Sequence, residues 1–126
     1  MKFEVNLPIL GFEEVTTVEL VSEDGVVATL RSPEDEVLFL KIVSSSVFEH
    51  INFDIPSSIA TILDIEADSD TEIYFIITVT NPLDKSIINI NAPIVFNKSN
   101  GKMAQFILED ESLGVAILSN FNAQED

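Results

Sequence analysis

The side chains best suited to chemistry in this chain are four carboxylates that alternate along one acidic run: Asp64, Glu66, Asp68 and Asp70. Calcium binds several carboxylate oxygens from one short loop, so this run is the first candidate metal site. Counted from Asp64, however, the EF-hand pattern fails, because Ser69 stands where glycine is needed and Phe75 where the last glutamate is needed. We therefore interpret the run as an exposed acidic loop that provides a rim for a basic partner, with a metal site as the weaker alternative.

Catalysis is not supported by the single histidine, His50. Glu49 would have to orient it, yet adjacent residues in an extended segment point to opposite faces. The serines at 44–46 supply hydroxyls without the G-x-S-x-G turn that exposes a nucleophile. The glycines form no phosphate-binding motif, and there is no cysteine. We expect no catalytic residue, no metal and no cofactor, and we interpret His50 as a surface residue.

The charge balance is strongly acidic, with 22 Asp and Glu against 6 Lys and Arg and a net charge of −16. Contact with a phosphate backbone needs a basic face, so the balance argues against direct binding to nucleic acid. Such a charge keeps the surface solvated, attracts partners with a basic face and favours a monomer.

The location expected from the sequence is the cytoplasm. The absence of cysteine fits a reducing compartment. The N-terminus lacks a signal-peptide pattern, and the longest mainly apolar run, 73–79, is far short of the roughly twenty residues of a membrane span.

Short β-branched and apolar runs separated by turn residues predict a β-protein. The predicted strands are 15–21, 26–31, 37–43, 72–80, 86–97 and 113–118, with a hairpin turn at Asp24-Gly25. The run 72–80 is apolar on both faces, which is typical of a strand covered on both sides or placed inside a closed sheet. We predict a mainly all-β fold, a small antiparallel β-barrel or barrel-like sandwich.

One short helix is predicted after residue 56. Ile59, Ile62 and Leu63 recur there at helical spacing, and Asp54 or Ser57 could serve as the N-cap.

The stretch 89–108 predicts a second hairpin. Asn100-Gly101 suits a two-residue type I′ turn, since both central positions need positive φ. This turn would place Ser99 opposite Lys102, and it would bring apolar partners together further along the ladder, such as Val95 opposite Phe106.

Three blocks of this sequence together resemble the flagellar assembly factor FliW family. The matching blocks are PILGFE at 8–13, FDIP at 53–56, and APIVFN at 92–97 followed by QFIL at 105–108. They occur in the family's order and span nearly the whole chain. Two departures stand out: Leu10 where the family often has proline, which alters how the opening loop is stiffened, and Asn91 where it usually has an apolar residue.

The resemblance implies a non-enzymatic protein that binds flagellin and, when free, binds and antagonises the RNA-binding translational repressor CsrA. It also implies one FliW-like β-barrel domain over 1–119, followed by a flexible acidic tail at 120–126. The candidate partner-binding residues are Phe12, Glu13, Asp64, Glu66, Asp68, Asp70, Asn97 and Gln105.

Two further interpretations remain open at this stage. Phe12 either plugs one end of the barrel or forms an apolar part of a partner site. A different class of function, a barrel that binds an apolar small molecule, would need a hollow interior, whereas the many large aliphatic residues should fill a barrel this small.

Overall fold

The computed structural model describes residues 1–23, 25–33, 38–47, 54–78, 86–107 and 115–117, which form eight strands and one short α-helix. In chain order the strands are β1 (Lys2–Leu7), β2 (Thr17–Ser22), β3 (Val27–Arg31), β4 (Phe39–Ser44), β5 (Thr71–Thr78), β6 (Ile87–Asn97), β7 (Lys102–Gln105) and β8 (Val115–Ile117). A single 3₁₀ turn, Ser45–Val47, follows β4, and helix α1, Ser57–Ile62, precedes β5. The predictions for His50 and for the tail 120–126 fall outside the described residues.

The strands form one sheet that closes into a barrel. Strands β1 to β7 are paired in chain order, and β7 pairs with β1 to complete the circle. Every pairing is antiparallel except that of β1 with β7, which is parallel. Strand β8 adds to β6 over Ile87–Asn89. The predicted mainly β barrel with one short helix is confirmed.

Large apolar side chains fill the barrel interior. The ring of Phe96 lies 4.9 Å from that of Phe3 and 5.6 Å from that of Tyr74, both edge to face. Fully buried aliphatic residues complete this core, among them Leu30, Leu38, Ile42, Ile94 and Met103. A barrel of about eight strands has room for little more than its own side chains. The packing therefore argues against the hollow, ligand-binding alternative.

An irregularity in β1 lets that strand serve two apolar clusters. Phe3 and Val5 pack in the interior, and regular alternation would send Leu7 there as well. Instead the register against β7 shifts between Val5 and Leu7, and Leu7 packs with the cluster on the outer wall. The extra residue is Asn6, whose Oδ1 is buried and meets no hydrogen-bond donor among the described residues. By turning Leu7 outward, this bulge provides part of the apolar surface on which the short helix packs.

Helix α1 is held by packing rather than by its own length, since isolated helices this short are unstable in water. Ile59 and Leu63 pack onto Val95 and Ala104 on the outer wall of the barrel. The N-cap position is Pro56 and makes no side-chain cap hydrogen bond, so the predicted capping by Asp54 or Ser57 is wrong. The apolar spacing alone explains why the helix itself was predictable.

The C-terminal end of α1 is a Schellman motif. The Ile65 N–H donates to Ala60 O at 2.9 Å and the Asp64 N–H to Thr61 O at 3.2 Å. Asp64 occupies the left-handed position with φ of 52°, where glycine is the usual residue. The motif turns the chain sharply into the acidic loop.

The hairpin between β6 and β7 reverses through four residues rather than two. Asn97 pairs directly with Lys102, so residues 98–101 form the turn. Within it only Gly101 has positive φ, 75°, and its N–H donates to Asn97 O at 2.9 Å. The predicted type I′ turn at Asn100-Gly101 is therefore wrong, because that turn needs positive φ at both residues.

The different turn moves every predicted cross-strand partner by two residues. Val95 pairs with Ala104 rather than Phe106, and Lys102 pairs with Asn97 rather than Ser99. Because side chains alternate between faces with a period of two, a shift of two residues keeps each side chain on its predicted face. The apolar matching across this hairpin survives the error.

Candidate partner-binding surface

The loop that joins β1 to β2, residues 8–16, begins with a tight turn that exposes a leucine. The Phe12 N–H donates to Ile9 O at 2.8 Å and Gly11 has φ of 89°, the pattern of a type II turn with Leu10 at its second position. The side chain of Leu10 is 63% exposed. Phe12 is half-buried and packs against the interior core, as the plug interpretation requires, whereas the following Glu13 is exposed.

Gln105 fastens this opening loop to the barrel. Its Oε1 accepts the Leu10 N–H at 2.8 Å, and its Nε2 donates to Ala92 O at 3.1 Å. The side chain is buried, so it joins the first and third sequence blocks from inside the protein and is not presented to solvent. A buried amide with both ends hydrogen-bonded is a structural tie.

Asn97 has the same role at the opposite end of the barrel. It is fully buried, and its Nδ2 donates to Leu63 O at 3.0 Å while its Oδ1 accepts the Ser99 N–H at 3.1 Å. Asn100 donates to the same Leu63 oxygen at 2.9 Å. The hairpin thus satisfies a carbonyl at the end of α1, where the helix offers no partner.

The acidic run after α1 lies against this hairpin tip and is ordered by it. Lys102 Nζ donates to Asp64 Oδ2 at 2.5 Å, and this hydrogen bond raises the pKa of Lys102 above its ordinary value. The Asp70 N–H donates to Ser99 Oγ at 2.8 Å, and Asp70 O accepts the Lys98 N–H at 2.8 Å. The run is a loop as predicted, and no group of carboxylates that could hold a metal occurs among the residues described.

Most cations in the described ranges are neutralised where they stand. Four ion pairs occur there: Arg31 with Glu19 at 2.6 Å, Lys41 with Glu23 at 2.5 Å, Lys98 with Glu72 at 3.5 Å, and Lys102 with Asp64 at 2.5 Å. The segments 3–30, 42–84 and 103–126 contain neither Lys nor Arg. Exposed carboxylates outside these pairs, Glu13, Glu66 and Asp68 among them, therefore carry the excess negative charge.

The predicted partner residues do not form one patch. Phe12 and Glu13 lie on the opening loop, whereas the acidic run lies at the hairpin tip, at the other end of the barrel. Several exposed apolar residues were not among the predicted contacts, including Leu10 on the opening loop and Ile107, which is 53% exposed just beyond β7. The position of Leu10 before Gly11 in a turn was the signal that could have placed it at a loop tip.

A model of the family described as FliW protein matches residues 1–118. The chain belongs to the FliW family. Flagellar assembly factor FliW 1 of Wolinella succinogenes is 32% identical over 108 residues, which cover 86% of this chain and 84% of the relative. Flagellar assembly factor FliW of Sulfurimonas denitrificans is 33% identical over 117 residues, with 92% and 93% covered. The Bacillus subtilis protein of the same name is 34% identical over 111 residues, with 87% and 78% covered.

The fold agrees with that of a solved FliW. A crystal structure of the flagellar assembly factor FliW superposes with a TM-score of 0.75 at 26% identity, covering 86% of this chain and 78% of the other. All three sequence blocks lie within the span matched by the FliW family model. No helix in the described part of this FliW-family chain is long and apolar enough to cross a membrane.

Proposed function

We propose that this FliW-family protein is a non-enzymatic flagellar assembly factor of the cytoplasm that binds flagellin and, when free of flagellin, binds and antagonises the translational repressor CsrA. The protein regulates by binding one partner or the other. Export of flagellin frees the protein, and the freed protein then binds CsrA and relieves its repression of flagellin messenger RNA. The observation that carries this proposal is the FliW family match along residues 1–118.

The charge distribution supports the CsrA part of the proposal. An RNA-binding repressor presents basic residues, and this chain has a net charge of −16 with most described cations already paired. Its field attracts such a partner from beyond contact distance. A bound acidic domain also weakens RNA binding by placing negative charge near the RNA path.

The arrangement of the residues supports a binding role better than a catalytic one. The buried amides of Asn97 and Gln105 are used to hold loops in place. The carboxylates predicted as a partner rim are exposed and lie on a loop anchored to the hairpin. Such a surface can hold a partner without reorganising its own backbone.

The test is purification of the tagged protein with flagellin and with CsrA from the same host, followed by competition between the two. We expect each partner to be bound alone and flagellin to displace CsrA. We also expect association with CsrA to slow steeply when salt rises from about 0.05 M to about 0.5 M, because the screening length falls severalfold over this range.

Failure to bind either partner contradicts the proposal. Simultaneous binding of both without mutual weakening contradicts its switching part, and a rate of CsrA association that does not change with salt contradicts the role given to charge. RNA alone should not bind at any of these salt concentrations, since a net charge of −16 repels a phosphate backbone.

A further inference from the structure

The opening-loop end of the barrel combines exposed apolar side chains with unpaired acidic ones. Leu10 is 63% exposed and Ile107 is 53% exposed, whereas most large apolar residues of the described ranges are buried. Gln105 accepts the Leu10 N–H at 2.8 Å and precedes Ile107 by two residues, which places both side chains at the same end. Parallel pairing of β1 with β7 leads both chain segments to that end.

Two carboxylates follow Leu10 closely in the opening loop, Glu13 and Glu14. Glu13 and Glu14 are both exposed, and within the described residues neither has an ion-pair partner. The described residues of the two segments that carry these side chains, 3–23 and 103–107, include no Lys or Arg. Among the described residues, no cation pairs with Glu13 or Glu14, so a basic partner can do so.

We propose that Leu10, Ile107, Glu13 and Glu14 form a docking face for a protein segment whose apolar stripe is flanked by Lys or Arg. The apolar pair supplies the contact that excludes water, and the two carboxylates select for flanking cations. This assignment rests on the proposed function, because it names a surface for one partner of a protein that acts by binding others.

The backbone of the docking face is organised before a partner arrives. The type II turn is closed by the hydrogen bond from the Phe12 N–H to Ile9 O. The buried side chain of Gln105 accepts the Leu10 N–H and so holds the turn against the barrel. Phe12 packs inward and holds the loop against the core. A partner that docks here therefore orders few new bonds in this protein, which leaves more of the contact free energy as affinity.

Phe39 is the most exposed large apolar residue of the described ranges, at 66%, and it has a different setting. It lies on the barrel wall opposite Arg31 in the β3–β4 pairing, and Arg31 is itself paired with Glu19. Because Arg31 and Glu19 neutralise each other, this described pair leaves no excess negative charge to attract the flanking Lys or Arg of the proposed segment. Phe39 is therefore the control, because it has similar exposure and the described charges beside it, Arg31 and Glu19, are paired with each other.

The experiment measures binding of a designed, fluorescently labelled amphipathic peptide with a leucine stripe flanked by lysines. We expect the double variant Leu10→Ser/Ile107→Ser to weaken binding about tenfold or more, and Phe39→Ser to leave it within about twofold. Glu13→Gln/Glu14→Gln should weaken binding severalfold at low salt and less at high salt. A peptide with glutamate in place of lysine should bind far more weakly to the native protein.

The outcomes separate the surface from the proposed function. Equal loss in Phe39→Ser and Leu10→Ser/Ile107→Ser, or no loss in the double variant while its near-ultraviolet spectrum stays native, overturns the docking face. Flagellin and CsrA are then tested against the same variants. If the native protein binds one of them and the double variant binds it equally well, the docking face is wrong and the proposed function stands. If the native protein binds neither, the proposed function fails whatever the peptide does.

Discussion

The two ends of this barrel use their side chains in opposite ways. At the hairpin-tip end, a carbonyl and a carboxylate meet partners from the same chain, while Glu66 and Asp68 stay exposed: Leu63 O accepts from two asparagines, and Asp64 pairs with Lys102. At the opening-loop end, Leu10 and Glu13 face solvent. Satisfied groups stabilise a fold but have little left to offer a partner, whereas exposed apolar groups next to unpaired charges retain binding free energy.

The comparison separates support from recognition within the family signature. Asn97 and Gln105 match the signature, yet both are buried and hold backbone groups in place. Leu10, which departs from the usual proline, is the residue that points outward. Substitutions at the two ends should therefore change different measurements, stability at one end and binding at the other.

The largest effect on stability is expected from Asn97→Ala. The variant leaves the Ser99 N–H without its acceptor and a void where the fully buried side chain was, and we expect the free energy of unfolding to fall by about 2–3 kcal/mol. Urea unfolding followed by circular dichroism measures this. Asn100→Ala, at the exposed side of the same carbonyl, should cost only about 0.5–1 kcal/mol.

A double-mutant cycle sharpens this prediction. Either asparagine alone can satisfy Leu63 O, so removing both should cost more than the sum of the single losses. Additive losses would mean that the two amides stabilise the protein independently, and the shared carbonyl would then not be the reason for their arrangement.

At the other end, Gln105→Ala should lower the free energy of unfolding by about 1–2 kcal/mol, because the Ala92 carbonyl and the Leu10 N–H both lose their partner. Asn97 and Gln105 lie about three strand residues apart along the hairpin ladder, or roughly 10 Å. We expect the Asn97→Ala/Gln105→Ala double variant to be additive within about 0.5 kcal/mol. Strong coupling would show that the two ends are not independent.

Leu10→Pro tests the same tie from the loop side. The second position of a type II turn accepts proline readily, and a stiffer unfolded chain favours folding by about 0.4–1 kcal/mol. Proline lacks the N–H that Gln105 accepts, which costs about 1 kcal/mol in turn. The net change measured by urea unfolding should therefore lie within about 1 kcal/mol of zero. A loss of about 3 kcal/mol or more would mean that Leu10 cannot adopt the turn geometry assigned to it.

Features that depend on periodicity could be predicted from the sequence, whereas turn geometry, helix capping and long-range pairing could not. Periodicity placed β5 and helix α1, because alternation and helical spacing are read from neighbouring residues. The closure of β7 onto β1 in parallel joins residues about a hundred positions apart, such as Glu4 and Lys102, and no local pattern encodes it. The bulge at Asn6 was missed because a lone asparagine between apolar residues does not reveal an extra residue in the ladder.

The candidate site shows the same division. The exposed acidic loop could be predicted from composition alone. Which residues of the opening loop are exposed and which are buried depended on the direction in which Gly11 turns the chain. Adjacent residues can face opposite ways, so a motif that contains both Leu10 and Phe12 does not say which one faces solvent. The structure turns Phe12 inward and Leu10 outward.

A smaller effect on stability is expected at Asp64, where a residue other than glycine occupies the left-handed position at the end of α1. We expect Asp64→Gly to be more stable than Asp64→Asn by about 0.5–1 kcal/mol, because both lose the charge but only glycine adopts this φ freely. Against the native protein the gain is smaller, since the exposed pair with Lys102 is lost as well. Equal thermal unfolding of the two variants would show that φ of 52° carries no strain.

The smallest effect at neutral pH concerns Tyr74, which lies in the core with Phe96. Burial and then the nearby Glu72 raise the pKa of its hydroxyl above the ordinary value of 10.0. Because the folded pKa exceeds the unfolded one, the associated stability is fully present below about pH 10 and is lost as pH rises through the folded pKa. Tyr74 is the single tyrosine and there is no tryptophan, so near-ultraviolet absorbance of tyrosinate reports this residue alone. The midpoint should lie higher in the folded protein than in denaturant, and Glu72→Gln should bring it only part of the way back, since burial is the larger cause. Identical midpoints in the folded and denatured protein would place the hydroxyl in water and contradict the packing of Tyr74 in the core.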